Sequence, residues 1–227
     1  MGGEAPDWEA EFWSYIGKGD GLHCPLYDHC EARLAGSLCG DECRETVNQL
    51  LYSEEFNTSS PPLPKCSTPS RLCRLIERLA QKYLSAGDIH TPPVPTGLVA
   101  LADPRHTIEV RTIPLKVYHG AIWHLDGRWV IQTNENDPPA VRRLTIFHEA
   151  FHILAHSKTR PVFRKRGGEE GAFNELLADC FALCVLIPAQ WVENKWAELE
   201  DVDRMAEMFD VPGQAMRFRL MSMGLIP

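Results

Sequence analysis

The sequence predicts an α+β fold, in which helices precede a small, mainly antiparallel sheet and two apolar helices follow it. Three observations predict it. Apolar residues recur at helical spacing in the first part of the chain, and alternating apolar segments flank a turn pair at Asp126-Gly127. Further on, His148-Glu149-Ala150-Phe151-His152 sits inside a long apolar helical pattern.

The elements follow in order. Trp8, Phe12, Trp13 and Ile16 recur at helical spacing and predict a short amphipathic helix. It leads into a cysteine-rich module, residues 1–56, closed by a linker over 57–69 that contains Asn57-Thr58-Ser59-Ser60-Pro61-Pro62-Leu63-Pro64. The main domain, 70–227, begins where Ser70 caps a helix with Leu72, Leu75, Ile76, Leu79, Tyr83 and Leu84 on one stripe. Beyond the breaker Thr91-Pro92-Pro93-Val94-Pro95 come a short helix near Leu98 to Ala102 and a strand around Thr107 to Ile113. Then Ala121 to Leu125 and Arg128 to Gln132 flank Asp126-Gly127, the residue pair of a type I′ hairpin turn.

Asp137-Pro138-Pro139 starts the next helix, with Asp137 as its cap and proline where a missing N–H costs nothing, and Arg160-Pro161 stops it. A second apolar helix runs from about Asn174 to Ile187-Pro188. The basic segment Lys158 to Gly168 between them reads as a solvated loop or a flap. The closing segment has the rhythm of a helix-turn-helix, through Val202, Met205, Ala206 and Phe209 and then Ala215, Met216, Phe218 and Leu220. Glu198, Glu200, Asp201, Asp203 and Glu207 line its first helix and would repel phosphate, so its apolar residues read as domain packing.

With 227 residues, 44% of them apolar, the chain buries a real core, and one domain with an appended module fits better than two full domains. No apolar run is long enough to span a bilayer, and the acidic start Met1 to Asp7 lacks the pattern of a secretory signal, so a cytoplasmic protein is expected. A net charge of −8 argues against direct nucleic-acid binding and suits a basic partner. In a reducing compartment the eight cysteines are not read first as disulfides. Cys24, Cys30, Cys39 and Cys43 cluster with turn-forming glycines and predict a structural Zn²⁺ or an iron–sulfur cluster, with buried free thiols or a redox pair as alternatives. Cys180 and Cys184 read as core.

The five residues His148 to His152 carry the chemistry. On a helix, i and i+4 histidines face one side and can grip a single Zn²⁺, while the adjacent Glu149 reaches water as general base. A catalytic zinc wants a third protein ligand and one open position. Glu175 is the candidate, with Asp179 one turn on to accept a hydrogen bond from the outer nitrogen of a ligand histidine. His156 is the rival, one turn after His152, although Ile153-Leu154-Ala155 lacks the helix-breaking glycine that a metzincin arrangement needs. Tyr118, His119, His124 and His156 are candidates for oxyanion or substrate contact, and the stretch Tyr118 to Leu125 for an exposed strand that holds a substrate chain.

Leu144 to His156, Glu175 to Ala182, Leu186-Ile187-Pro188 and Ala206 to Pro212, in this order, resemble the ImmA/IrrE metallo-endopeptidases of bacteria and phages, over roughly residues 70 to 225. Phe151 departs from the family's usual small residue before the second histidine and could narrow the site. The resemblance implies a gluzincin-like, and so zincin-like, metalloprotease domain with one catalytic zinc. It further implies peptide-bond hydrolysis in the cytoplasm, often with a helix-turn-helix repressor as substrate. The rival from another class is a non-catalytic regulatory protein that binds a repressor or DNA and senses metal or redox state through the cysteine module.

Overall fold

A computed structural model describes residues 7–15, 71–116, 118–158 and 169–226. The cysteine module with Cys24, Cys30, Cys39 and Cys43, the 57–69 linker, the Ser70 cap and the basic loop from 159 to 168 lie outside the described residues.

Helix α1 (Trp8–Tyr15) precedes α2 (Arg71–Ala86), whose stripe of Leu75, Ile76, Leu79, Tyr83 and Leu84 is buried as its 3.6-residue period requires. A 3-10 segment, Thr96–Ala102, buries Leu98, Val99 and Ala102. Three strands follow: β1 (Ile108–Ile113), β2 (Gly120–Leu125) and β3 (Arg128–Asn134). The metal-motif helix α3 (Pro139–Lys158) and α4 (Glu169–Leu186) come next, and α5 (Ala189–Leu199), α6 (Val202–Phe209) and α7 (Gly213–Ser222) close the fold.

The sheet order is β1-β3-β2. Strands β2 and β3 form the hairpin, and positive φ at Asp126 (49°) and Gly127 (74°) is what a type I′ turn demands. The expectation of a mainly antiparallel sheet needs correction, because β1 pairs with β3 in parallel, Ile108 opposite Trp129 and Ile113 opposite Asn134. The chain leaving β1 crosses to the outer edge before forming β2, so β3 returns beside β1 in the same direction. This places β3 in the centre, with Trp129, Val130, Ile131 and Thr133 all buried.

Helices α3 and α4 pack on each other in the middle of the core, α4 against α2 and α3 against the sheet. Leu144, Phe147, Ala150, Ile153, Leu177, Phe181 and Val185 are fully or almost fully buried. Helix α4 begins at Glu169, so Glu175 lies well inside it rather than at its start. The expected cap Asp137 turns instead to His119, Oδ2 to Nδ1 at 2.8 Å, and ties the start of α3 to the approach to β2. In the closing pair, Asp201 caps α6 by accepting from the backbone N–H groups of Asp203 and Arg204. Met205, Phe209, Ala215, Met216 and Leu220 face the core, and buried Arg219 donates to the carbonyl of Ile187 at 3.0 Å and pairs with Glu77. No single described helix is long and apolar enough to cross a membrane.

Candidate metal centre

Position in α3 decides which side chains meet. His148 and His152, four residues apart, bring their Nε2 atoms to 3.1 Å. From α4, Glu175 places Oε2 3.3 Å from His148 Nε2 and Oε1 3.4 Å from His152 Nε2. Among the described residues this trio is the group whose donor atoms all lie within 4.8 Å of one another. One turn along α4, Asp179 Oδ1 accepts from His148 Nδ1 at 2.7 Å, which fixes the proton on Nδ1 and leaves the Nε2 lone pair aimed into the cluster.

This donor set fits a cation. Two imidazole nitrogens and a carboxylate converge in a largely buried place, where unpartnered polar groups are costly. Burial by itself would lower the His148 pKa, but Asp179, Glu175 and Glu149 outweigh it and hold the ring well above its ordinary value. The site therefore selects for positive charge, supplied either by a proton or by a metal. Two nitrogens and one oxygen are the ligand chemistry of zinc.

Glu149 is buried beside the trio. Its carboxylate lies against the first residue of β2: a Cβ built on Gly120 would stand 3.0 Å from Glu149 Oε1 and 2.4 Å from Thr145 Cγ2. Gly120 thus permits an approach that any larger residue would block, and a glycine within a strand pattern is the sequence signal that could have marked it. Strand β2 has β3 on one side and no strand on the other among the described residues. Because Asn134 donates to the His119 carbonyl at 2.9 Å, the antiparallel alternation turns the N–H and C=O groups of Gly120, Ile122 and His124 to that open edge.

The remaining candidates divide. His156 stands outside the trio, its ring 5.0 Å from Trp129 and 6.4 Å from His124. His119 is held by Asp137, and Tyr118 is exposed. Phe151 is 1% exposed, and its ring lies between the site and the core, edge-on to the His152 ring at 6.1 Å and with centroids 6.3 Å from Phe12, 6.3 Å from Trp13 and 5.4 Å from Phe181. The bulk that departs from the family pattern is where α1 docks.

A family model for the IrrE N-terminal-like domain of the M78 peptidases matches residues 104–221, from just before β1 into the end of α7. The chain belongs to this family. The match covers the sheet and both ligand-bearing helices but starts after α2 and the 3-10 segment, so it is narrower than the resemblance predicts. No curated protein matches the sequence. Among solved structures, a Mycobacterium tuberculosis transcriptional regulator is similar in fold, with a TM-score of 0.51 at 15% identity over 79% of this chain. The chain covers about half of that regulator's length, 51%. The M78 domain is thus found here on an α+β scaffold whose potential metal ligands come from its two central helices.

Proposed function

We propose that this protein is a zinc-dependent endopeptidase acting on a cytoplasmic protein. The observation that carries the proposal is the convergence of His148, His152 and Glu175, with Glu149 beside them at the start of an open strand edge. His148, His152 and Glu175 would hold Zn²⁺, with Asp179 orienting His148. When bound there, the ion supplies Lewis acidity that polarises a scissile carbonyl and makes water acidic near neutral pH.

The chain's own residues do the rest. A substrate segment adds to β2 by main-chain hydrogen bonds to Gly120, Ile122 and His124, which draws its scissile bond past Glu149. Glu149 takes a proton from the attacking water as oxygen bonds to the carbonyl carbon, and returns it to the amine as the C–N bond breaks. Tyr118, His119, His124 and His156 remain the candidates for contacts to the oxyanion or substrate. Family membership supports a protein substrate, and the family resemblance suggests a helix-turn-helix repressor. A purely regulatory zinc domain, the rival reading, has no use for a buried Glu149 beside the ligands.

The deciding experiment is Glu149→Gln. The variant should bind zinc like the parent and lose peptide hydrolysis by at least about a hundredfold, the usual weight of a general base. Undiminished hydrolysis would remove Glu149 from the mechanism.

A further inference from the structure

Sheet edges are normally protected from pairing with another chain by charge, proline or a covering element. The two edge strands here differ in this respect. Strand β1 carries Glu109 and Arg111, joined by two hydrogen bonds of 2.7 and 2.9 Å from guanidinium to carboxylate. Strand β2 reads Gly-Ala-Ile-Trp-His-Leu and holds no acidic residue, lysine or arginine. Among the described residues the exposed large apolar side chains are Val110, Tyr118, Trp123 and Leu125, and all but Val110 fall in the stretch 118–125. The open edge beside Glu149 is thus the apolar, uncharged kind that strand addition needs.

Alternation then assigns the side chains. Gly120, Ile122 and His124 share the face of Ile131 and Trp129, which belong to the core. Ala121, Trp123 and Leu125 lie on the other face with Val130 and Gln132. Trp123 is 52% exposed and yet held, its Nε1 donating to Gln132 Oε1 at 2.9 Å. A ring fixed in this way loses little freedom when something packs on it.

The same register sets what an added strand meets. The main-chain groups of Ala121, Trp123 and Leu125 turn to β3, so toward an antiparallel strand at the open edge these residues take the non-hydrogen-bonded positions. There Cα atoms approach to about 4.5 Å and facing side chains touch most closely. Antiparallel addition is also slightly the more stable per residue. A chain so added runs from Leu125 toward Gly120 and Glu149, so the residues facing Leu125 and Trp123 precede the cleaved bond. Counted from the residue that faces Gly120, they stand five and three positions upstream.

We infer that Trp123 and Leu125 select the substrate, an extended segment with large apolar side chains at two positions, two apart, on the N-terminal side of the cut. The cut rests on the peptidase reading above, whereas the binding does not.

The test uses two synthetic peptides of equal length and composition, with one Leu and one Phe in a background of Thr, Ser and Gln. In the first, Leu precedes Phe by two positions; in the second they are adjacent and cannot share a face. Binding is read by fluorescence anisotropy on the zinc-loaded full chain carrying Glu149→Gln, and cleavage by mass spectrometry on the parent. The spaced peptide should bind more tightly, and Trp123→Ala should weaken it about 2- to 12-fold, the usual weight of an aromatic pair, while binding of the adjacent peptide changes less. On the parent, cuts should fall downstream of the spaced pair, and Trp123→Ala should raise KM with kcat little changed, as loss of uniform binding does. Both side chains are about half exposed, so the variants should keep the parent's circular dichroism. Equal binding of the two peptides, or a spacing preference that survives Trp123→Ala combined with Leu125→Ala, would overturn the inference. A parent that sediments as a dimer and is dissociated by Trp123→Ala would also overturn it, with a second copy of this chain covering the edge. Spacing-dependent binding without cleavage would support the docking surface and sink the peptidase reading instead.

Discussion

Asp179 and Asp103 act alike on two different histidines, and each can be tested by a single atom-level change. Asp179→Ala leaves the three trio residues in place but frees the His148 tautomer, so zinc affinity should fall about 10- to 100-fold, read by competition with a chromogenic chelator. Asp103 gives a pH signature. Burial alone would raise its pKa, but hydrogen bonds from His106, Trp129 and Arg105 prevail and bring it from 3.8 to about 2. A carboxyl depressed in the folded state contributes stability that is complete above its unfolded value and is lost as pH falls through the folded one. Asp103→Asn should therefore cost about 2 kcal/mol near neutral pH and flatten the stability profile between roughly pH 4 and pH 2, measured by urea unfolding. Gly120→Ala is the steric counterpart: its Cβ would press on Thr145 and Glu149, so activity should fall while bound metal persists.

Elements translate such contacts into shape. Helix α1 buries Phe12 completely and Trp13 almost so, against Phe151 on the face of α3 behind His152, and Lys82 pairs with Glu9. Phe12→Ala should cost about 3 kcal/mol as a large cavity in the aromatic cluster, and a denaturant midpoint unchanged from the parent would show that α1 does not hold there. At the other face, Ile122→Pro removes an N–H that points to the open edge rather than to β3, so the fold should survive while kcat/KM for a peptide falls about tenfold or more. What the sequence reveals at this scale is local. The I′ turn at Asp126-Gly127 and the stripe of α2 depend on neighbouring residues, and both are found as the pattern predicts. The i, i+4 spacing in α3 brings His148 and His152 together by helix geometry alone. The parallel β1–β3 pairing, the use of Phe151 as a seat for α1, and the hydrogen bond from Trp129 to Asp103 join segments far apart in the chain, which no local period encodes. Asp137 reads as a cap by its neighbours, yet it is drawn to His119 by tertiary proximity.

At the scale of the whole molecule, the trio lies where α3 and α4 cross, so a bound ion would cross-link the two helices on which the rest of the core is built. Without a cation, Glu149, Glu175 and Asp179 surround two imidazoles in a mostly buried volume, in a chain whose net charge is already −8. Folding and metal binding should then be linked: a ligand that binds only the folded state at a hundred times its Kd stabilises by about 2.7 kcal/mol. For a chain of this size each kcal/mol moves Tm by about 2–4 °C, so chelation should lower Tm by roughly 5–11 °C and added Zn²⁺ should restore it. His148→Ala separates this effect from any other zinc in the chain. The variant should start with a lower Tm and lose most of the chelator response, because its remaining ligands no longer close the α3–α4 link. A variant that responded to the chelator as fully as the parent would place the stabilising metal elsewhere in the chain.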